Sequence, residues 1–192
     1  MKKIVLASAS PRRKELLKLL CDDFEIYPDN SPENAEGKTL AKEIVCCLAE
    51  QKCFNVADKF DDEYIVIGAD TVVAADEKIL GKPKDEDEAK KMLRFLSGRC
   101  HSVYTGVCVM QKSVKKAVTF FEKTDVYFYD LSDEEINRYV ATGEPMDKAG
   151  AYGIQEKGGL FVKKTVGDFN NVVGLPAGKL FKILKKEFDF EN

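Results

Sequence analysis

Apolar and polar positions alternate along this chain in blocks that predict strands and helices in turn. The run IVLA, Ile4 to Ala7, has the length and character of a strand. Behind it, Ser10 as N-cap and Pro11 at the first helical position predict a helix with Leu16, Leu17, Leu19 and Leu20 on its buried face. A second helix is expected from Leu40 to about Cys53, burying Leu40, Ile44, Val45, Cys47 and Leu48. A strand follows from Tyr64 to Gly68, running through Ala69 and Asp70 into TVVAA and a turn at Asp76 and Glu77. Asp85 and Glu88 form a capping box for a helix carrying Ala89, Met92, Leu93 and Leu96, closed by Gly98. Two β runs come next, His101 to Met110 and Ala117 to Tyr129, and then a short helix capped by Ser132 and Glu135 that ends near Gly143. The glycine-rich stretch DKAGAYGIQEKGG reads as a functional loop or tight turn. After it, the pattern predicts a strand from Leu160 to Lys164, a turn at Gly167 and Asp168, a β run at Val172 and Val173, and a helix from Pro176 to about Phe188. Alternating strands and helices give an α/β fold with a mixed sheet.

The length, 192 residues, suits a single domain, or one domain of two lobes. A net charge of −3 argues against a surface that coats nucleic acid. No stretch has the apolar length of a signal peptide or membrane span, so a soluble cytoplasmic protein without a membrane partner is expected. Six cysteines without a C-x-x-C pair are expected to be reduced and mostly buried. The single histidine, His101, heads an apolar run and is assigned to strand packing, which leaves carboxylates, lysines and arginines to carry any chemistry.

Three segments concentrate such groups. In ASASPRRKELL, Arg12 and Arg13 stand in the first turn of a helix, where a cation is disfavoured by about 0.3 to 1 kcal/mol unless an anion binds there. Serine hydroxyls, backbone N-H groups and two guanidiniums would suit a polyphosphate or carboxylate; a solvated charged face is the alternative. In IVIGADTVV, Asp70 interrupts an apolar run and is expected to be at least partly buried, so it needs a metal, a cation or hydrogen-bond donors, or else bonds to its own loop. In ILGKPKDEDE, Lys82 precedes Pro83 and is therefore extended. Taken singly, Lys52, Lys82 and Glu33 read as ordinary solvated charges, and Thr71 as a strand residue. There is no Walker-type phosphate loop, no G-x-G-x-x-G after a strand and no zinc-ligand array.

The set ASASPRRKELL, GADTVV, LGKP, LSGR, EPMDKAGAYGIQ and GDFNNVVGLP resembles the Maf family of nucleoside triphosphate pyrophosphatases, historically called septum formation inhibitors, from about residue 4 to residue 185. With Gln155, the form DKAGAYGIQ resembles the dTTP/UTP branch; the branch acting on 7-methyl-GTP has a glutamate there. The resemblance implies an elongated α/β fold of two lobes around a central mixed sheet, with a substrate cleft between them, and a homodimer. It implies Asp70 as catalytic base, with Arg12 and Arg13 as phosphate-binding arginines and Ser8 in the same loop. Lys52 and Lys82 match active-site lysines, and Thr71 and Gln155 match positions tied to base preference. Glu33 matches an acidic position, here flanked by Pro32 and Asn34 where the family has an acidic cluster. A divalent cation, Mg²⁺ or Mn²⁺, is implied with Glu33 and Asp70 as its protein ligands; sequence does not separate the metal ligand from the base. The implied activity is hydrolysis of dTTP and UTP to the monophosphate and pyrophosphate. Alternatives are the same reaction on 7-methyl-GTP or inosine-type triphosphates, or a nucleotide-binding regulator of septum formation and cell division.

Overall fold

The computed structural model describes residues 2–76 and 78–191. Its strands are β1 (Ile4–Leu6), β2 (Glu25–Ile26), β3 (Ile65–Ala75), β4 (Lys78–Leu80), β5 (Cys100–Gln111), β6 (Lys116–Phe128) and β7 (Val162–Val166). Its α-helices are α1 (Pro11–Leu17), α2 (Ala41–Ala57), α3 (Glu86–Leu96), α4 (Asp133–Val140), α5 (Phe169–Val173) and α6 (Ala177–Phe188). One mixed sheet runs β2-β1-β3-β5-β6-β7, with β4 paired to β3. β1 pairs in parallel with both β2 and β3, while the β3/β4 and β6/β7 pairs are antiparallel. This is the α/β mixed-sheet class that the pattern predicts. No helix among the described residues is long and apolar enough to cross a membrane.

Two compact units divide the chain. The first comprises Met1–Asp70, Thr105–Glu122 and Gly174–Asn192; the second comprises Thr71–Tyr104 and Lys123–Val173. In the first, Val5, Ala7 and Val66 pack against Ala49, Cys53, Val56 and Ala57 of α2, with Cys108 beside them. The small residues on that face of α2 let the helix lie close to the sheet, and two glycines take the approach further. A Cβ on Gly68 of β3 would sit 2.3 Å from Ala49 O and 2.9 Å from Cys53 Cβ, and one on Gly106 of β5 would sit 2.3 Å from Val45 O. Either substitution would push α2 off the sheet.

The second unit is organised around larger side chains. Leu93 and Leu96 of α3, Ile136 and Val140 of α4, and Val103, Val126 and Phe128 of the sheet form its core with Tyr152 and Phe161. Burying each such side chain is worth about 1.5 to 3 kcal/mol. His101 is 2% exposed and stands edge-on to Phe128 and Tyr152, as its assignment to packing requires.

Several sequence expectations are corrected. α1 ends at Leu17, so Leu19 falls beyond it and is 67% exposed. α2 starts one residue late, leaving Leu40 as its exposed N-cap, and runs a turn past Cys53 because Val56 and Ala57 still face the core. Asp85 accepts from Glu88 N at 2.8 Å, but the Glu88 carboxylate returns to Lys84 N instead of the cap residue. The reciprocal box is complete at Ser132 and Glu135. Val172 and Val173 are helical, not extended. Asp168 Oδ1 caps Asn170 N at 2.8 Å, and the buried Asn171 amide donates to Val103 O and Thr124 Oγ1, both at 3.0 Å. That polar anchoring overrides the β preference of valine. β4 has no counterpart in the sequence reading. Asp76 adopts φ 45°, as a turn requires, while Glu77 lies outside the described residues. The cysteines are all free thiols, but only Cys53 and Cys108 are buried; Cys100 is exposed and the others are intermediate.

Candidate active site

In the first unit, Lys52 lies on α2, beside the face that packs on Val5, Ala7 and Val66 of the β1 and β3 segments. Gly68 sets the closeness of that packing two residues before Asp70, so the lysine reaches the aspartate directly. Lys52 Nζ lies 2.6 Å from Asp70 Oδ1 and 2.7 Å from Glu33 Oε1. Two of the three donors of the ammonium are thereby accounted for. Asp70 is 8% exposed. Burial pushes its carboxyl above the usual carboxylate range, and Glu33 adds to the rise, while the charges of Lys52 and Arg13 pull the other way. Burial makes this carboxylate more basic than a solvated one, and the cations beside it favour its ionised form.

Arg13 braces the same corner. Its Nε donates to Gly174 O at 2.9 Å, and its Nη1 donates to Ala69 O at 2.8 Å and Ser8 Oγ at 3.2 Å. These carbonyl oxygens offset the unfavourable helix-start position of the cation. Burial lowers the guanidinium's proton affinity and Asp70 opposes that, yet an arginine keeps its charge. Because Ala69 O immediately precedes Asp70, Arg13 fixes the backbone that carries the carboxylate. Arg12, half-buried, adds a second positive charge beside Arg13. Ser8 is 9% exposed and also accepts from Ser10 N at 3.3 Å. Ser10 caps α1 as expected, through a 3.5 Å bond from Arg13 N, but α1 has only seven residues and the Arg13 guanidinium bonds to protein oxygens.

Glu33 comes from the polar loop 28–38, and Gln51 holds that loop on α2. Gln51 Nε2 donates to Pro32 O at 2.7 Å while its Oε1 accepts from Asn34 N at 3.0 Å, so one amide grips the residues on both sides of Glu33. Asn55 Nδ2 adds a 3.1 Å bond to Asp29 Oδ2. Gln51 is not among the residues that the sequence singles out. Its neighbour Lys52 and the helical spacing to Asn55 were the available signals, but the pairing to a loop some twenty positions upstream has no local signature.

The first unit thus gathers Ser8, Arg12, Arg13, Glu33, Lys52 and Asp70. Thr71, Lys82 and Gln155 belong to the second unit. There Thr71 is half-buried in β3, Lys82 is exposed in the extended stretch before Pro83, and Gln155 is exposed on a tight turn of the glycine-rich segment.

Among the described residues no group of three or more His, Cys, Asp or Glu could hold a metal ion. Asp70 and Glu33, joined through Lys52, form a pair of hard oxygen donors. Mg²⁺ is commonly held by one or two carboxylates and completes its shell with substrate phosphates and water. The donor set fits that mode and does not fit a metal held by protein alone.

The family model described as Maf-like protein matches residues 3–187. A protein of Alkaliphilus oremlandii named dTTP/UTP pyrophosphatase is 55% identical over 189 residues, 98% of each chain. One of Bacillus cereus with the same name is 51% identical over 191 residues, covering 100% of this chain and 98% of that one. Among solved structures, a HAM1 protein from Coxiella burnetii superposes with a TM-score of 0.53 at 17% identity, covering 97% of this chain and 100% of that one, a likeness of fold. Since the family match and the relatives both span nearly the whole chain, this protein belongs to the Maf-like family.

Proposed function

We propose that this protein is a metal-dependent pyrophosphatase that hydrolyses dTTP and UTP to the nucleoside monophosphate and pyrophosphate. The observation that carries the reading is the buried Asp70 carboxylate held at 2.6 Å by Lys52, with Arg13 bracing its backbone. A domain that only binds a polyanion has no use for a carboxylate at the heart of its cation cluster; hydrolysis needs a base there. The full-length relatives named dTTP/UTP pyrophosphatase supply the substrate class.

Each residue then has a role. Asp70 orients a water and takes its proton as the water attacks the α-phosphorus, and burial makes its carboxyl a stronger base than a solvated one. Lys52 keeps Asp70 ionised before the attack and turns its remaining N-H toward the phosphates. Arg12, Arg13 and Lys82 add positive charge for the pyrophosphate leaving group, whose charge grows in the transition state. Ser8 orients Arg13. Asp70 and Glu33 would hold the Mg²⁺ or Mn²⁺, which supplies charge neutralisation on the phosphate oxygens. Gln155 reads the base. Uracil and thymine offer an N3-H donor beside a carbonyl acceptor, and one glutamine amide presents the complementary acceptor and donor. Thr71 contributes to the same preference. The working form is a cytoplasmic homodimer.

The experiment is a panel of triphosphates, each with Mg²⁺, Mn²⁺ or chelator, with pyrophosphate and orthophosphate measured separately. UTP and dTTP should lead, with pyrophosphate as the first product and no turnover in chelator. Orthophosphate as the primary product, or turnover that survives chelator, would overturn the reading.

A further inference from the structure

Gln155 is carried at the turn of a loop that closes on itself. Residues 153–158 leave and return at almost one point, since a Cβ on Gly158 would lie 2.9 Å from Gly153 N and 2.6 Å from Tyr139 Oη. Inside the loop, Glu156 N donates to Gly153 O and Gly159 N donates to Glu156 O. Two side chains from elsewhere in the second unit hold its base. The Glu144 carboxylate accepts from Lys157 N at 3.2 Å, from Gly158 N at 3.1 Å and from Tyr139 Oη at 2.7 Å. The same phenol oxygen accepts from Gly153 N at 3.2 Å. One end of the loop is therefore held by the phenol and the other by the carboxylate, and the two holders are bonded to each other.

The floor is equally fixed. Lys148, 6% exposed, donates to Glu144 O and Asp147 Oδ1, both at 2.8 Å, and pairs with Glu156 Oε2 at 3.5 Å. Its aliphatic stem fills the space that a side chain at Gly153 would need, with Lys148 Cε 2.6 Å from that Cβ position. Burial and the bond to Glu144 keep the Tyr139 phenol protonated, so it always has a hydrogen to give the carboxylate. Gln155 itself is exposed, so the clamp acts on the backbone that carries it.

We propose that Glu144 and Tyr139 are positioning residues for base selection: their carboxylate and phenol clamp the loop 153–158, fix the backbone that presents Gln155 and so set the preference for uracil and thymine over other bases. This rests on the reading of Gln155 as the base reader. The chemistry of the clamp is specific. An amide at position 144 would turn an NH2 toward groups that are themselves donors, and a phenylalanine at 139 would remove the acceptor of Gly153 N and one of the three donors to the Glu144 carboxylate.

The test compares Tyr139→Phe, Glu144→Gln and Gln155→Ala with the parent protein in the presence of Mg²⁺. Values of kcat and KM are measured for UTP, for CTP, whose base edge reverses donor and acceptor, and for methyl triphosphate, which has no base. Methyl triphosphate is scored as a substrate or as a competitive inhibitor. Each variant should lower the UTP to CTP ratio of kcat/KM about 5- to 30-fold, chiefly through KM for UTP, and lower UTP relative to methyl triphosphate as well. Joining Tyr139→Phe to Gln155→Ala should cause no further fall, because both remove one interaction. Should either clamp variant fail to fold in a thermal melt, the other decides. An equal loss on all three compounds, or a UTP to CTP ratio that falls in Gln155→Ala but not in the clamp variants, overturns the clamp while the base reading stands. An unchanged ratio in Gln155→Ala overturns the base reading and the clamp with it.

Discussion

In the first unit the functional side chains are held by charge: Lys52 between Asp70 and Glu33, with Arg13 against the carbonyl of Ala69. In the second unit Gln155 is neutral and exposed, and its place comes from backbone N-H groups gathered by Glu144 and Tyr139. The first arrangement places four charged groups around a buried corner, where removing one changes the proton affinity of the rest. The second is a local scaffold whose failure should change which base is accepted and leave the ionisation of Asp70 alone. One region is therefore expected to govern rate and pH dependence, and the other selectivity.

The contrast breaks most sharply at Asp70. Asp70→Asn should lower kcat by about 10² to 10⁴-fold, the range for loss of a general base. Nucleotide binding without metal should persist or tighten, because a negative charge beside the phosphates is gone. The folded Asp70 carboxyl lies above its unfolded value, so its ionisation costs stability as pH rises through that folded value. The variant should thus melt no lower than the parent at neutral pH. Near-parental kcat, read by pyrophosphate release, would move the base role to Glu33.

The larger effect on stability should come from the second unit. His101 shares a 2.8 Å hydrogen bond between its Nε2 and Tyr152 Oη, and burial drops its pKa from 6.5 to about 4 despite the nearby charge of Asp125. The native imidazole stays neutral while the unfolded one takes a proton. Its contribution is full above pH 6.5 and is lost as pH falls toward 4, a loss of roughly 3 kcal/mol. Urea unfolding across that range should show the loss, and His101→Gln should flatten it. Parallel pH slopes in the two proteins would contradict the assignment.

Selectivity should respond to Gln155→Glu by about 1 to 3 kcal/mol, or roughly 5- to 150-fold in kcat/KM for UTP and dTTP, since a carboxylate cannot donate to the uracil carbonyl. The ratio of UTP to 7-methyl-GTP should fall, guanine offering two adjacent donors to a carboxylate. If all triphosphates weaken alike, Gln155 only closes its loop. The smallest effect is expected at Gln51→Ala. Losing the grip on Pro32 and Asn34 should lower kcat/KM severalfold by loosening Glu33, with a change in stability of about 1 kcal/mol or less, since these bonds are exposed. An unaltered kcat/KM would show that Glu33 is held by Lys52 alone.

How much of this was legible in the sequence differs between the two regions in the same way. Strand and helix positions around Asp70 followed from the apolar run and from the Ser10-Pro11 start, and the burial of Asp70 followed from its apolar neighbours. That Lys52 meets Asp70 and Glu33 was not legible from spacing, because it depends on Gly68 and Gly106 letting α2 down onto the sheet, a contact between distant segments. The family resemblance named these residues, but the distances came from the fold. In the second unit the glycine-rich segment reads as a functional loop or tight turn, whereas nothing local in the sequence singles out Glu144, Tyr139 or Lys148 as the groups that hold it. The helical α5 departs from the sequence expectation because Val172 and Val173 favour strands locally, and only the Asp168 cap on Asn170 N and the Asn171 bonds to β5 and β6 reverse that preference.

Hydrolysis of UTP in oxygen-18 water reads directly which phosphorus the water attacks. Attack at the α-phosphorus, driven by Asp70, places the label in the phosphate of UMP and leaves the released pyrophosphate unlabelled. Label recovered in pyrophosphate, with UMP unlabelled, would mean attack at the β-phosphorus and would contradict the assignment of Asp70 as the base on the α side.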